Sequence, residues 1–329
     1  MSEGTLTDSR QRLRPARALR NPIVLAGLAA VVIVVAGQIV SPGFASYGQL
    51  VSLARVASFL GIMAIGQTIV ILAGGDGIDL SVGKVATLGA IIGARLMQGD
   101  NSHVLIGIAV PLLVGGLIGL ANGLGITLLR IPPFVMTLGM MGVVQGIALA
   151  YTGGVAAGRS APALTGLVNQ RWLLEIPGVV YMWIVLIVVV TWSLRRTTVG
   201  WDLYAVGTNR VAARLSGRPV RRVAIGAYTA SGVFAALGGL MLLGYTESVF
   251  LNLADAYTLP TVAAVIIGGT LASGGVGSYA GTAIGAFVLT ALSSLLSTMN
   301  MPESWRIIIQ GLVLLSLLAV YGRQRRLRA

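Results

Sequence analysis

The residues best able to do chemistry lie in one glycine-rich segment between two apolar stretches, residues 74–84, with the sequence GGDGIDLSVGK. Asp79 and Ser81 place a charged acceptor and a hydroxyl beside a flexible backbone, which suits hydrogen bonding to a polyol or to another part of the same path. Asp79 could equally cap the helix that follows, because acids are favoured at a helix N-terminus. Lys84 can pair with Asp76 or with Asp79. The segment therefore predicts either a polyol contact or a capped helix start.

The chain offers few other groups for catalysis or metal binding. Residues 77–84 superficially resemble a phosphate-binding loop, but five residues separate Gly77 from Gly83, and Val85 stands where the motif needs Ser or Thr. The chain has a single histidine, His103, and no cysteine, so neither a catalytic triad nor a His-rich metal site can be assembled. The sequence predicts no catalytic residue, no metal and no cofactor, and any ATP hydrolysis would have to reside in a partner subunit.

The elements around this segment are those of a membrane protein. Of 329 residues, 56% are hydrophobic and 10% are charged, and the mean hydropathy is +0.88. A soluble domain carries about 25% charged residues, so the composition predicts an all-α, polytopic membrane protein embedded in a lipid bilayer. The net charge of +13 comes mainly from three basic blocks, residues 1–20, residues 195–222 and the tail after Tyr321. Blocks of this kind orient a membrane protein and do not predict binding to nucleic acid.

Apolar runs of about 20 residues, the length that crosses a bilayer, predict ten transmembrane helices. They lie at residues 22–40, 56–74, 80–98, 104–129, 134–151, 176–194, 223–245, 258–272, 277–297 and 306–321. An even number of spans places both termini and the central basic loop on one side, which the positive-inside rule makes cytoplasmic. The predicted organisation is a basic cytoplasmic tail (1–21), a transmembrane domain (22–321) and a second basic tail (322–329).

The central loop, residues 195–222, carries seven arginines and one acid. Asn209 can cap a short helix over residues 210–216, and Gly217 followed by Pro219 can end it. Two turns of helix are too short to be stable alone in water, so this helix should dock onto something. Two interpretations remain open: a loop made basic only to set topology, and a docking element for a cytoplasmic partner.

A second glycine-rich segment, residues 268–278, follows the short span that ends at residue 272. Irregular backbone at membrane depth is tolerated only where it is buried in protein or lines a wet cavity. A pair of Gly-interrupted apolar segments in the two halves of a transporter is an indicator of its transport pathway. The alternative is that both glycine segments are plain cytoplasmic turns.

Four blocks of the sequence, in order between about residues 50 and 321, together resemble one family. They are Gly-Ile-Asp-Leu-Ser-Val-Gly at residues 77–83, Asn122-Gly123 with the run from Ile131 to Gly139, the loop motif from Gly200 to Gly217, and residues 259–270 with Gly281. These blocks resemble the membrane permeases of bacterial ABC importers for monosaccharides such as ribose or xylose. Lys84 and Gln145 depart from the pattern, since the family more often has a small residue and an arginine there.

The resemblance implies a type II ABC importer-like fold with two sets of functional residues. The expected coupling helix, which sits in a cleft of the ATPase subunit, comprises Gly207, Asn209, Ala212, Ala213, Arg214, Leu215, Ser216 and Gly217. The expected translocation-pathway and signature residues are Asp76, Gly77, Asp79, Ser81, Gly83, Asn122, Thr137, Gly268, Gly269 and Thr270.

The resemblance also implies a setting: a multi-pass subunit of the bacterial inner membrane that imports a small sugar or sugar-like polyol. Its expected partners are a cytoplasmic ABC ATPase, a periplasmic or lipid-anchored sugar-binding protein, and a second permease copy or a homologue. Candidate acidic contacts for the binding protein lie in the outer loops at Glu175, Glu247, Asp255 and Glu303. The alternatives are a branched-chain amino-acid permease, an ion-coupled secondary transporter and, with the least support, an intramembrane enzyme.

Overall fold

The structure, a computed structural model, describes residues 22–309, 311, 312 and 315. Within these residues the chain is helical, and its only β pairings are two isolated bridges, Arg159 with Ser248 and Arg171 with Pro177. The helices are α1 (Pro22–Val40), α2 (Tyr47–Leu72), α3 (Val82–Met97), α4 (Val104–Thr127), α5 (Pro133–Thr152), α6 (Pro162–Asn169), α7 (Gly178–Arg196), α8 (Thr198–Thr208), α9 (Arg210–Leu215), α10 (Val220–Thr246), α11 (Thr258–Ile267) and α12 (Tyr279–Thr298). Three 3₁₀ turns occupy Asn101–His103, Leu173–Glu175 and Asp255–Tyr257.

Seven of the described helices (α1, α2, α4, α5, α7, α10 and α12) are long and apolar enough to cross a membrane. Their outer faces expose large apolar side chains such as Val32 (64%) on α1 and Leu105 (80%) on α4, as contact with lipid requires. The prediction of an all-α, membrane-spanning fold is confirmed. The count of ten spans and the cytoplasmic position of the termini stay predictions, and residues 1–21 and most of the span at 306–321 lie outside the described residues.

Three predicted spans differ clearly in extent from the structure. The span predicted at 56–74 is wrong in its start, since α2 begins at Tyr47 and ends at Leu72. The span predicted at 258–272 is wrong in its extent, since α11 has ten residues and the chain turns at Gly269, whose φ is +86°. At 1.5 Å per residue α11 is roughly 15 Å long, about half of a 30 Å bilayer core. Helix α3 has 16 residues and begins inside the bundle, after the first glycine segment. Neither helix is among the seven described helices that are long and apolar enough to cross a membrane.

Helix α10 is at the centre of the bundle and packs against α2, α3 and α4. Small residues let the backbones approach closely, as is usual between membrane helices. A Cβ atom built on Gly232 of α10 would lie 2.0 Å from the carbonyl oxygen of Gly115 on α4. No side chain fits between these helices at this level.

The bundle has two distinct ends. Residues 195–222 form the basic end, where α2 and α7 finish and where α10 and α12 begin. At the opposite end the Tyr47 hydroxyl donates to the carbonyl of Leu174, and the Arg95 guanidinium donates to the carbonyl of Tyr151. The prolines that separate two predicted spans act as expected, because α4 ends before them and α5 starts at Pro133.

Candidate functional site

The basic loop folds into two capped helices. The Thr197 hydroxyl accepts the N–H of Gly200 at the start of α8, over 3.3 Å. At α9 the Asn209 side-chain oxygen accepts the N–H groups of Val211 and Ala212, both over 3.0 Å. Gly217 follows α9 with φ +75°, a left-handed conformation that favours glycine. The predicted cap and stop of this helix are confirmed.

Helix α9 presents most of its surface to the outside of the chain. Ala213 is buried against Val206 and Val220 and fixes the helix to α8 and α10. The large apolar side chains of Val211 and Leu215 are 69% and 85% exposed, among arginines. Apolar side chains exposed in a charged surface mark a candidate protein contact.

The basic loop contacts both glycine segments. The Arg210 guanidinium donates to the carbonyl of Gly74 over 3.0 Å, and the Tyr204 hydroxyl donates to the carbonyl of Gly277 over 2.9 Å. The two glycine segments also contact each other, because a Cβ atom built on Gly274 would lie 2.4 Å from the Cα atom of Gly74. The N–H of Gly275 in addition donates to the carbonyl of Leu72, the last residue of α2, over 3.0 Å. These three segments form one cluster at the basic end, called here the junction. Sequence reasoning identified each segment but not their contact.

From the junction the first glycine segment runs into the bundle to Asp79. The Asp79 carboxylate accepts the N–H of Ser81 (3.0 Å), the Ser81 hydroxyl (2.6 Å) and, from α10, the Ser231 hydroxyl (2.7 Å). The Asn122 amide of α4 donates to the Ser81 hydroxyl over 3.1 Å. All four side chains are at most 1% exposed. Ser231 lies three turns into α10, roughly 16 Å from its start at 1.5 Å per residue, so this network is inside the bundle.

The other predicted pathway residues are packed within the same chain. The Thr137 hydroxyl of α5 donates to the carbonyl of Ile78 over 3.2 Å, which brings a fourth helix to the first glycine segment. Gly83 packs against Thr258, whereas Gly268 packs against Gly281, in both cases too closely for an added Cβ. Gly77, Gly269 and Thr270 are also buried, and Asp76 alone among the ten predicted pathway residues is exposed, with φ +55°.

The pairing predicted for Lys84 is wrong. Its ammonium contacts the carboxylate of Asp255 at 2.6 Å, not that of Asp76 or Asp79. Because α3 leads away from the glycine segment, the side chain of Lys84 meets the segment that precedes α11 instead. The pair joins α3 to the 3₁₀ turn at Asp255–Tyr257.

Three of the four acids predicted to contact the binding protein pair with basic residues of this chain instead. Asp255 is bound to Lys84, Glu175 pairs with Arg171 at 3.4 Å, and Glu303 pairs with Arg306. Of the four candidate contacts, only Glu247 has no basic partner among the described residues.

A polar groove was missed by the sequence analysis. A cavity of about 430 Å³ lies between α2, α12 and the start of α11. Hydroxyl and amide side chains line one part of it and apolar side chains such as Leu53, Val56 and Leu60 line the rest. The Gln49 amide lies 3.4 Å from the Ser294 hydroxyl. Its polar lining from the two long helices is Gln49, Ser52, Thr290, Ser293, Ser294 and Ser297. The helical spacing of hydroxyl residues on α12 could have predicted this face.

Comparisons with known proteins find permeases of transport and import systems. The family model described as a branched-chain amino acid transport system permease component matches residues 49–318. The ribose import permease protein of Escherichia coli K12 is 30% identical over 307 residues, covering 91% of this chain and 93% of that protein. The ribose import permease protein of Haemophilus influenzae is 31% identical, over 88% of this chain and 89% of its own length. The autoinducer 2 import system permease protein of Enterobacter sp. strain 638 is 34% identical, over 87% and 82%. No solved structure gives a significant match.

Proposed function

Because the chain belongs to the family of transport-system permease components that matches residues 49–318, we propose that it is the translocating subunit for a small sugar or sugar-like polyol. It is an inner-membrane transport subunit of an ABC importer, and its relatives are named as import permeases. A separate cytoplasmic ATPase supplies the energy in this proposal, and a periplasmic or lipid-anchored binding protein delivers the sugar. A second permease copy or a homologue completes the pathway.

The junction is the observation that carries the proposal. A partner that docks on the exposed face of α9 acts directly on Asn209 and Arg210, and Arg210 is bonded to the first glycine segment. Tyr204 links the same loop to the second segment. Movement of α9, together with the adjoining helix α8 that carries Tyr204, would therefore reach both glycine segments through hydrogen bonds. Coupling requires a docked element that favours one of two arrangements, and this connection supports that role.

Two observations favour a sugar over a branched-chain amino acid. The three relatives described above are named for ribose or autoinducer 2. The groove between α2 and α12 has hydroxyl and amide groups on part of its wall, and such groups exchange hydrogen bonds with a polyol. We assign the Asp79 network to holding the bend before α3, because its side chains are bonded to one another and buried.

Substitution on the exposed face of α9 tests the coupling role. Ala212 is exposed and small, so Ala212→Trp blocks docking without disturbing the packing of α9. In cells that express the complete transporter and lack other ribose uptake, this variant should reduce uptake of labelled ribose, because the ATPase can no longer dock on α9. The expected reduction is about tenfold or more, which corresponds to a loss of about 1.4 kcal/mol. Sugar-stimulated ATP hydrolysis by the complex should fall with it.

Ala212→Ser is the matched control, because it keeps the small size at the same position, and it should transport as the parent does. Both variants should reach the membrane in equal amounts. Normal uptake by Ala212→Trp would contradict the coupling role. Sugar transport by the purified chain without a nucleotide-hydrolysing partner would contradict the importer assignment, and uptake of leucine in place of ribose would favour the amino-acid alternative.

A further inference from the structure

A second groove opens at the basic end of the bundle. It has a volume of about 460 Å³ and lies between the last turns of α7, helix α8 and the first half of α10. Its walls are apolar, with Val189, Val199 and Phe234 among them, and Ile69 of α2 forms part of the floor. Gly226 leaves the groove open on α10, because a Cβ atom placed there would have no neighbour within 4 Å.

The mouth of this groove is cationic. Arg222 lines it, is exposed, and has no carboxylate partner among the described residues. The one acid of the lining, Asp202, is bonded to Arg218 at 2.6 Å, so its charge is already compensated. The mouth therefore has an uncompensated guanidinium, and guanidinium groups bind phosphate oxygens with two parallel hydrogen bonds.

The groove has the length of one leaflet. Arg222 and Phe234 are both on α10, and at 1.5 Å per residue they lie roughly 18 Å apart along the helix. Half of a hydrocarbon core of about 30 Å is about 15 Å. An acyl chain along the apolar walls would place its phosphate at Arg222.

The geometry points to a binding site for one anionic phospholipid, with its acyl chain between α7 and α10 and its headgroup phosphate on Arg222. Basic pockets between membrane helices are suited to anionic headgroups. Charge selects this occupant over the terminal segments of the chain, because residues 1–20 and the tail after Tyr321 are themselves basic. The site is independent of the transported substrate. A lipid there contacts α8, which also carries Tyr204 of the junction.

Lipid retention by the purified full-length chain tests the site. The chain is titrated in detergent with phosphatidylglycerol or phosphatidylcholine, and bound lipid is counted by native mass spectrometry. We expect one tightly held phosphatidylglycerol per chain. Arg222→Gln, which removes the phosphate ligand, should weaken its binding about tenfold, the size of effect expected for one charge-assisted hydrogen-bonded contact. Gly226→Phe should weaken binding as well, because the added ring fills the space that the acyl chain would occupy.

Two matched variants control for general effects. Gly142→Phe adds the same ring to an open, exposed position on α5, and Arg221→Gln removes the neighbouring exposed arginine that does not line the groove. Both should retain the lipid as the parent does. The proposal is overturned if controls and test variants lose lipid equally or if phosphatidylcholine binds as tightly. It is also overturned if Gly226→Phe changes only the oligomeric state, which would make the groove a contact between copies.

Discussion

The Tyr204 hydroxyl donates a hydrogen bond of 2.9 Å to the carbonyl oxygen of Gly277, a residue 73 positions away in sequence. This bond joins the basic loop to the second glycine segment at a point where Gly277 has φ +154°. Burial raises the pKa of the Tyr204 phenol, so the hydroxyl keeps its proton and acts as the donor at physiological pH. The loop and the segment are therefore held together by a neutral bond that does not depend on salt.

Removal of this hydrogen bond should weaken the coupling between ATP hydrolysis and sugar transport. Tyr204→Phe keeps the ring and deletes the donor, which costs about 1 kcal/mol of the junction's stability. We expect sugar uptake to fall by a larger factor than basal ATP hydrolysis by the complex, measured in the same membranes. Tyr181→Phe, which deletes a hydrogen bond to Leu173 at the opposite end, is the control and should leave the ratio of uptake to hydrolysis unchanged. An equal change in both variants would contradict a specific role for Tyr204.

The ion pair between Lys84 and Asp255 should show strong coupling in a double-mutant cycle. The two side chains are 15% and 34% exposed, so loss of one partner leaves a charge in a partly buried position. Lys84→Met or Asp255→Asn alone should lower the free energy of unfolding by about 1–2 kcal/mol, between the values for exposed and buried pairs. The double variant should lose less than the sum of the two. Thermal unfolding in detergent measures this, and strict additivity would show that the pair contributes nothing.

Substitutions in the hydrogen-bond network around Asp79 should lower the stability of the chain according to the number of hydrogen bonds that they remove. Asp79→Leu removes the acceptor of three hydrogen bonds and leaves buried hydroxyl and N–H groups unpaired, at about 1–3 kcal/mol for each lost partner. Ser231→Ala removes one of these bonds and should destabilise the chain less. The control is Asp76→Asn in the same glycine segment, whose side chain is exposed and whose unfolding temperature should stay at the parent value. A larger loss of stability in the Asp76 variant than in the Asp79 variant would contradict the proposal that the Asp79 network holds the bend before α3.

Two glycines of α10 should respond oppositely to the same substitution. Gly232→Ala places a methyl group 2.0 Å from the carbonyl oxygen of Gly115, so α4 and α10 must separate. A cost of about 1–3 kcal/mol is expected for such overpacking. Gly226→Ala meets open space and should be neutral or stabilising by up to about 1 kcal/mol, because alanine is the better helix former. The unfolding temperatures of the two variants measure the difference, and similar values would show that α4 and α10 are not tightly packed.

Features that depend on neighbouring residues could be predicted from the sequence alone. The approximate positions of most helices follow from apolar runs, the start of α9 from the side chain of Asn209, and its end from Gly217. Each of these is set within a few residues of chain, where local geometry decides. The composition likewise determined the membrane-spanning, all-helical class, since apolar surface of this extent needs lipid or protein around it.

The tertiary structure alone decided which distant segments meet. Lys84 and Asp255 are 171 positions apart in sequence, and their pairing depends on where α3 and α11 begin inside the bundle. The junction, the polar groove and the cationic groove are all built from segments that no spacing rule connects. Hydrogen bonds and close packing between helices choose one arrangement among many with the same local patterns, and a linear sequence does not display that choice.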